Sequence, residues 1–214
     1  MSLYGDPQQI PLEERLNDEQ KKEMGSKTTE LASSLHDEWR APRKLEDGTF
    51  EPRVKATKDE EWVKAHGTDQ VDIANSTYAE LPKDWQGENK ASAEVAMNLV
   101  YDASTMGREL DDEFVEEASS KIHDAWLERN GEWAPEEQKK PYLELSEEEK
   151  AKDRVIVQKA ISIHKKVEGQ ETKPTDPDQW YRDEKTQRFS DERYHGQDEI
   201  DAHNEDMRKH SSKL

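Results

Sequence analysis

Apolar residues recur at helical spacing in two stretches of the chain, and each stretch predicts an amphipathic helix. In the first stretch, Leu31, Leu35 and Trp39 lie four residues apart, which places them on one helix face. Asp111 and Asp112 precede the second stretch, where an N-cap and the helix dipole favour acidic residues. The apolar stripe of the second stretch consists of Phe114, Val115, Ala118, Ile122, Ala125 and Trp126.

Two more helices are predicted after a pair of Tyr-x-x-Leu anchors at residues 78–81 and 142–145. Ser146 and Glu149 have the spacing of a capping box at the start of the later helix. A short alternating segment at residues 71–77 fits either a strand or an extended loop. The helical spacing after the anchors is seen in Ile156, Ala160, Ile163 and Val167 and, less regularly, in Ala91, Val95, Leu99 and Asp102.

The apolar pattern occurs twice because the sequence itself repeats. ELASSLHDEW at residues 30–39 aligns without a gap with EASSKIHDAW at residues 117–126. DGTFEP at residues 47–52 corresponds to NGEWAP at residues 130–135, a turn that pairs a residue tolerant of left-handed backbone with glycine and aims an aromatic side chain inward. A repeat of this kind has to be recognised before motifs are interpreted.

A third block completes each copy, since residues 77–97 correspond to residues 141–161 and residues 53–76 form an insertion in the first copy. Each copy is then helix, aromatic turn, anchor and helix. We predict a mainly α fold in which the two helical repeats pack about a pseudo-twofold axis, with short extended segments between helices. The predicted organisation is a polar N-terminal arm at 1–29, a first repeat at 30–103, a second repeat at 112–167 and a polar, charged tail at 168–214.

The composition limits both the core and the partners. Of the 214 residues, 30% are hydrophobic and 39% are charged, so the core has to be small. The net charge of −19 repels a phosphate backbone, which argues against a nucleic-acid partner. The absence of cysteine excludes disulfides and thiolate metal sites. No apolar run has the length of a membrane span and the start lacks signal-peptide features, so we expect a cytoplasmic protein without a membrane partner.

The order of motifs in the second copy is specific enough to compare with a known family. Its motif residues are His123, Trp126, Gly131, Trp133, Pro141, Tyr142, Leu145, Lys150, Asp153 and Arg154. This order resembles the ryanodine-receptor repeat domain, a helical module found in calcium-release channels and in bacterial and phage proteins. The first copy has Thr77 where the family has proline, and it retains His36, Trp39, Gly48, Phe50, Tyr78, Leu81 and Lys90.

The resemblance implies a non-enzymatic, paired helical module of a kind associated with nucleotides or partner proteins. Each histidine lies three residues before a tryptophan on the same helix face, so its ring either meets a ligand or bonds a backbone group and closes the core. Arginines near the repeat elements suit phosphate because the guanidinium is a planar fork, and Arg154 equally suits a salt bridge within its repeat. The candidate ligand-binding residues are His36, Trp39, Arg40, Arg43, Phe50, His123, Trp126, Arg129, Trp133, Tyr142 and Arg154.

Catalytic and cofactor motifs are absent from the sequence. It contains no P-loop, GxGxxG, GxSxG or HExxH pattern, so we predict neither an enzyme nor a cofactor, and no metal site. Three histidines of the tail lie among acids and either hold a divalent ion weakly or form a solvated face: His195, His203 and His210. The leading hypothesis is a binding module for a small anion such as a nucleotide. The alternative is a structural or protein-interaction scaffold, for example a phage or virion component.

Overall fold

The stretches with helical apolar spacing form four long helices in the computed structural model, which describes residues 10–166. These are α2 (Asp18–Arg40), α4 (Lys83–Thr105), α5 (Asp112–Asn130) and α6 (Glu147–Lys165). The prediction of a mainly α fold is therefore confirmed. The shorter elements are α1 (Leu12–Arg15), β1 (Val54–Ala56), α3 (Glu60–His66), β2 (Gln70–Asp72) and 3₁₀ helices at Ala41–Arg43, Tyr78–Glu80 and Tyr142–Glu144.

The starts of the long helices are set by side-chain caps. Asn17 accepts from the Gln20 backbone N–H and the Gln20 side chain accepts from the Asn17 N–H, which forms a capping box at α2. The predicted N-cap at Asp111 is confirmed, since its carboxylate accepts from the Phe114 N–H at 2.9 Å. Ser146 caps α6 by accepting from the Glu149 N–H at 3.2 Å. Because α2 begins at Asp18, the predicted boundary at residue 30 falls inside a helix.

The four long helices enclose the core. Helix α2 packs against α4, α5 packs against α6, and α4 and α6 also pack against each other. Additional contacts join α2 to α6 and α4 to α5. This arrangement buries the predicted stripe of α2, with Leu31, Leu35 and Trp39 all nearly inaccessible. Val167 and the tail histidines of the sequence analysis lie outside the described residues.

The predicted stripe of α4 is wrong in register. Asp102 is exposed, and Val95 and Leu99 lie only at the edge of the core. Helix α4 contacts α2, α5 and α6, so its buried face is wider than a stripe of spacing four and includes neighbouring positions. The side chains of α4 that are buried are Ser92, Ala93, Ala96, Met97, Val100, Tyr101 and Ala103.

The insertion of the first copy is a small α/β element that folds over the start of α4. Its two strands are antiparallel, with Lys55 opposite Val71, and α3 lies between them. The carboxylate of Asp84 in α4 accepts from the Thr57 hydroxyl at 2.6 Å and from the Lys58 N–H at 2.7 Å. The alternating segment at residues 71–77 is a strand only as far as Asp72.

The glycine turns of the two copies differ. Gly48 has φ 87°, the left-handed conformation that the sequence predicts. Gly131 has φ −59° and ψ −24°, because Asn130 and Gly131 continue the helical turn of α5. A Cβ at Gly131 would lie 2.5 Å from the Leu127 carbonyl oxygen. Glycine is therefore needed there for close backbone approach, and the predicted left-handed turn in the second copy is wrong.

Candidate functional site

The two repeated histidines occupy matching positions in the fold. Nε2 of His36 lies 2.9 Å from the Ser76 carbonyl oxygen, and Nε2 of His123 lies 2.9 Å from the Lys140 carbonyl oxygen. A carbonyl can only accept, so each ring donates from Nε2. Both histidines are buried, and each ties its helix to the segment that leads into the Tyr-x-x-Leu anchor. Burial lowers the pKa of His36, although the bond to Ser76 acts in the opposite direction.

The tyrosines of the anchors stand in the same relation to the histidines. The ring centroids of His36 and Tyr78 are 6.4 Å apart, as are those of His123 and Tyr142. We name α2, α4 and the segment between them the first unit, and α5, α6 and the segment between them the second unit. The contacts between the two units are also equivalent. The first helix of each unit packs against the second helix of the other, α2 against α6 and α5 against α4. The pseudo-twofold axis itself stays a prediction.

The candidate residues that end the first helix of the first unit contact one another. The guanidinium of Arg40 lies 4.7 Å from the centre of the Phe50 ring and pairs with Asp37 at 2.8 Å. The guanidinium of Arg43 lies 4.7 Å from the centre of the buried Trp39 ring and donates to the Trp39 carbonyl. These cation–π contacts use the same guanidinium faces that would stack on a ligand.

Arg129 of the second unit is engaged with the first unit instead. Its guanidinium pairs with Glu88 of α4 at 2.7 Å and donates to the Ala125 carbonyl at 2.8 Å. The two candidate tryptophans of this region, Trp126 and Trp133, are half-buried. Arg129 therefore joins α5 to α4, and its charge is already balanced by a carboxylate.

Arg154 and Tyr142 meet at one carboxylate in the second unit. The Arg154 guanidinium binds both oxygens of Glu116 and also pairs with Glu147 at 2.8 Å. The Tyr142 hydroxyl donates to Glu116 at 3.1 Å. The nearby guanidinium lowers the pKa of Glu116, and burial raises the pKa of Tyr142 to about 12. Arg154 thus forms a salt bridge within its repeat, which is one of the two roles that the sequence leaves open, and the pair closes the face between α5 and α6.

The corresponding face of the first unit is an open groove of about 490 Å³ between α2 and α4. The repeat alignment pairs Lys90 with Arg154 and Tyr78 with Tyr142, and continued by one residue before its first block it pairs Thr29 with Glu116. All three of these first-unit residues line the groove. Among residues 10–166 the groove is lined by Met24, Gly25, Thr28, Thr29, Ala32, Tyr78, Gln86, Lys90, Glu94 and Asn98.

The polar groups of the groove are only partly engaged. Lys90 and Glu94 are 3.7 Å apart and both are more than half exposed. The hydroxyls of Thr28 and Thr29 donate to carbonyls of their own helix. Burial raises the pKa of Tyr78, and the Glu94 carboxylate adds to this effect. Within residues 10–166 the Tyr78 hydroxyl has no hydrogen-bond partner.

Sequence reasoning missed this groove. Thr28, Gln86 and Asn98 belong to no motif, and Lys90 enters the sequence analysis only as a motif residue of the first copy. The available signal was a difference between the copies, since a threonine at 29 stands opposite a glutamate at 116. That difference has meaning only once Arg154 is seen to reach Glu116 across two helices.

The second unit also contains a buried histidine–acid pair. Nδ1 of His123 lies 3.6 Å from Asp153, and both side chains are nearly inaccessible. Because Nε2 of His123 already donates to the Lys140 carbonyl, no ring nitrogen faces solvent. Among residues 10–166, no three His, Asp or Glu side chains converge in a way that could hold a metal ion.

Comparison with protein-family models, with curated proteins and with solved structures finds no match to this chain. In the part of the chain that the structure describes, none of the helices is long and apolar enough to span a bilayer.

Proposed function

We propose that this chain is a non-catalytic binding module in which two related helical units, arranged about a pseudo-twofold axis, hold a small polar ligand in the groove of the first unit. The observation that carries the proposal is the contrast between the units. Arg154 and Glu116 close the second unit, whereas the groove of the first unit is open and lined by polar side chains. The resemblance to the ryanodine-receptor repeat domain supports the same class of protein.

The engagement of the histidines within the fold supports a non-catalytic role. A general base must reach a substrate proton within hydrogen-bond distance; among residues 10–166 the groove lining includes no histidine, and its acid, Glu94, lies 3.7 Å from Lys90. The buried His36 and His123 donate to backbone carbonyls instead. A histidine that bonds a backbone group in this way supports the fold rather than contacting a ligand.

The charge of the groove bears on the kind of ligand. Phosphate groups are best held by several guanidinium forks, yet Arg129 and Arg154 are paired with carboxylates. Within the part of the chain that the structure describes, the groove lining contains one cation, Lys90. A ligand with a single anionic group therefore fits better than a nucleotide with several phosphate charges.

An NMR titration of the ¹⁵N-labelled chain tests the proposal. The panel consists of nucleotides, amino acids and small organic acids, and the monitored signals are the backbone amides of Thr28 and Lys90. We expect at least one compound to shift these amides and to raise the melting temperature, because a ligand that binds only the native state stabilises it. The variant Asn98→Trp should block the response, whereas Leu143→Trp, at a position that is 82% exposed and outside the groove, should preserve it.

A structural or protein-interaction scaffold is the second candidate. It is supported by the engagement of the predicted arginines in contacts within the chain, such as Arg43 over Trp39 and Arg129 with Glu88. This alternative predicts that no compound shifts the groove amides. It also predicts that Asn98→Trp has the same small effect on the chain as Leu143→Trp.

A further inference from the structure

We propose that the group recognised in the groove is a carboxylate, which lies between Lys90 and Tyr78 as the Glu116 carboxylate lies between Arg154 and Tyr142 in the second unit. The inference rests on the proposed function and names the chemical class of its ligand. A free organic acid and an acidic side chain of a peptide present the same group, and the experiment below separates these two sources.

The second unit serves as an internal example of the bound state. There one carboxylate receives two hydrogen bonds from Arg154 and one from the Tyr142 hydroxyl. These are charge-assisted hydrogen bonds, which are the stronger class. The carboxylate comes from Glu116, a residue of the first helix of that unit.

The first unit retains the donors and has no carboxylate at the position of Glu116, since its nearby acid, Glu94, belongs to α4. Lys90 replaces the arginine, Tyr78 replaces the tyrosine, and both line the groove. Thr29 replaces the glutamate, and its hydroxyl already donates to the Gly25 carbonyl at 3.0 Å. A carboxylate from another molecule would therefore supply what the chain itself supplies in the second unit.

Two other donor side chains at this face, those of Thr28 and Gln86, are already committed within the chain. The Thr28 hydroxyl donates to the Met24 carbonyl at 2.7 Å. The Gln86 amide donates to the carbonyls of Tyr78 and Leu81 at 3.0 and 2.9 Å. The Lys90 ammonium and the Tyr78 hydroxyl are the donors that correspond to Arg154 and Tyr142 of the second unit. Each of them can donate a hydrogen bond to one oxygen of a carboxylate.

The negative charge of Glu94 favours binding of a carboxylate over binding of a more highly charged anion. It lies 3.7 Å from Lys90 on the next turn of α4, where the repeat alignment places the neutral Gln158 in the second unit. A phosphate monoester carries about −1.5 to −2 charges at pH 7, so Glu94 would repel it more strongly than a carboxylate. Glu94 should also weaken the binding of the carboxylate itself.

The first experiment compares three probes by NMR titration of the full chain: propionate, glutamic acid acetylated at its nitrogen and amidated at its main-chain carboxyl, and inorganic phosphate. We expect both carboxylates to shift the amides of Thr29 and Lys90 saturably, and phosphate at equal concentration to bind at least about tenfold more weakly. Tighter binding of the capped glutamate identifies a peptide side chain as the source, and equal binding identifies a free acid. Phosphate binding as tight as propionate overturns the proposal.

Three variants that introduce the residue of the second unit sharpen the test. Thr29→Glu supplies a carboxylate within the chain, so it should raise the melting temperature of the free protein and abolish propionate binding. Lys90→Arg should preserve binding, and Glu94→Gln should tighten it about two- to tenfold by removing a like charge. The matched loss variant, Lys90→Met, should weaken binding at least about tenfold.

The outcomes separate this inference from the proposed function. If propionate does not shift the amide signals of the groove but another compound of the panel does, the carboxylate inference fails and the proposed binding function stands. If no compound shifts them, both fail. Unchanged propionate binding in Lys90→Met, or weaker binding in Glu94→Gln, also overturns the inference, and these two substitutions lie at exposed positions where folding is not at risk.

Discussion

The guanidinium of Arg154 binds both carboxylate oxygens of Glu116 and so joins α6 to α5 across the face that is open in the first unit. The Glu116 side chain is 48% exposed and that of Arg154 is 25% exposed. The pair is therefore partly screened by water, and its contribution to stability is expected to be small.

Replacing the charged partners should show a measurable coupling between them. In a double-mutant cycle with Glu116→Gln and Arg154→Met, we expect a coupling free energy of about 0.5–1 kcal/mol in chemical denaturation. The same cycle on Glu136 and Lys139, an exposed pair three residues apart in the chain, should give a value near zero. Equal coupling in the two cycles would contradict the bidentate geometry.

The Glu116 pair should also depend on pH. The pKa of Glu116 is lowered below its ordinary value of 4.5, first by the Arg154 hydrogen bond, so the native state binds fewer protons than the unfolded state. Its contribution is then fully present above about pH 4.5 and is lost as the pH falls through the lowered folded pKa. The difference in unfolding free energy between the wild type and Glu116→Gln should therefore shrink as the pH is lowered from about 7 to about 3, which chemical denaturation at each pH measures.

His36 should titrate below its ordinary value. Burial lowers its pKa from 6.5, so the native ring stays neutral at a pH where the unfolded ring is protonated. Stability should consequently fall as the pH drops from about 6.5 toward the folded pKa, and it should level off below that. NMR titration of the His36 imidazole signals measures the folded pKa. A His36 midpoint at or above 6.5 would contradict its buried, neutral state.

The fold shows which helices a sequence pattern can predict. Helices α2 and α5 each bury one face against their neighbours, so Leu35 and Ile122 fall in regular stripes that predict them. Helix α4 contacts the three other long helices and also α1, so its buried positions do not follow one stripe. The strands of the insertion have three residues each, which is too short for a period of two to be recognised.

The site could be predicted only in part, because residue type does not reveal pairing. Arg129 and Arg154 are suited to phosphate by chemistry, but their partners Glu88 and Glu116 lie 41 and 38 residues away in the chain. Spacing along the sequence gives no information on contacts of that kind. The repeat predicted the matching environment of the histidines, whereas the groove came from a position where the copies differ.

Two glycines should respond in opposite ways to alanine. Gly131→Ala places a Cβ about 2.5 Å from the Leu127 carbonyl oxygen, so we expect a loss of roughly 1–3 kcal/mol of unfolding free energy. Gly87→Ala lies within α4 with no atom near the added Cβ, so it should stabilise the chain by about 0.5–1 kcal/mol. Denaturant titrations of the two variants give these values. Stabilisation by both substitutions would show that Gly131 is not required for close approach.

The carboxylate of Asp84 should control the stability of the insertion apart from that of the core. It accepts from the Thr57 hydroxyl and the Lys58 N–H, so Asp84→Ala removes two hydrogen bonds between the insertion and α4. The local opening free energy of residues 54–72 should then fall by roughly 1–3 kcal/mol. Hydrogen–deuterium exchange measures this as faster exchange at Lys55 and Val71, whose strands pair with each other.

The control for this last prediction is Asp69→Ala, because the Asp69 side chain bonds only its neighbour Gln70. That variant should leave exchange in the insertion close to the wild-type rate. The amides of α5 and α6 should be unaffected by Asp84→Ala, since none of the contacts that hold the insertion onto α4 involves them. Uniformly faster exchange across α5 and α6 would mean instead that the insertion and the four-helix core unfold as one cooperative unit.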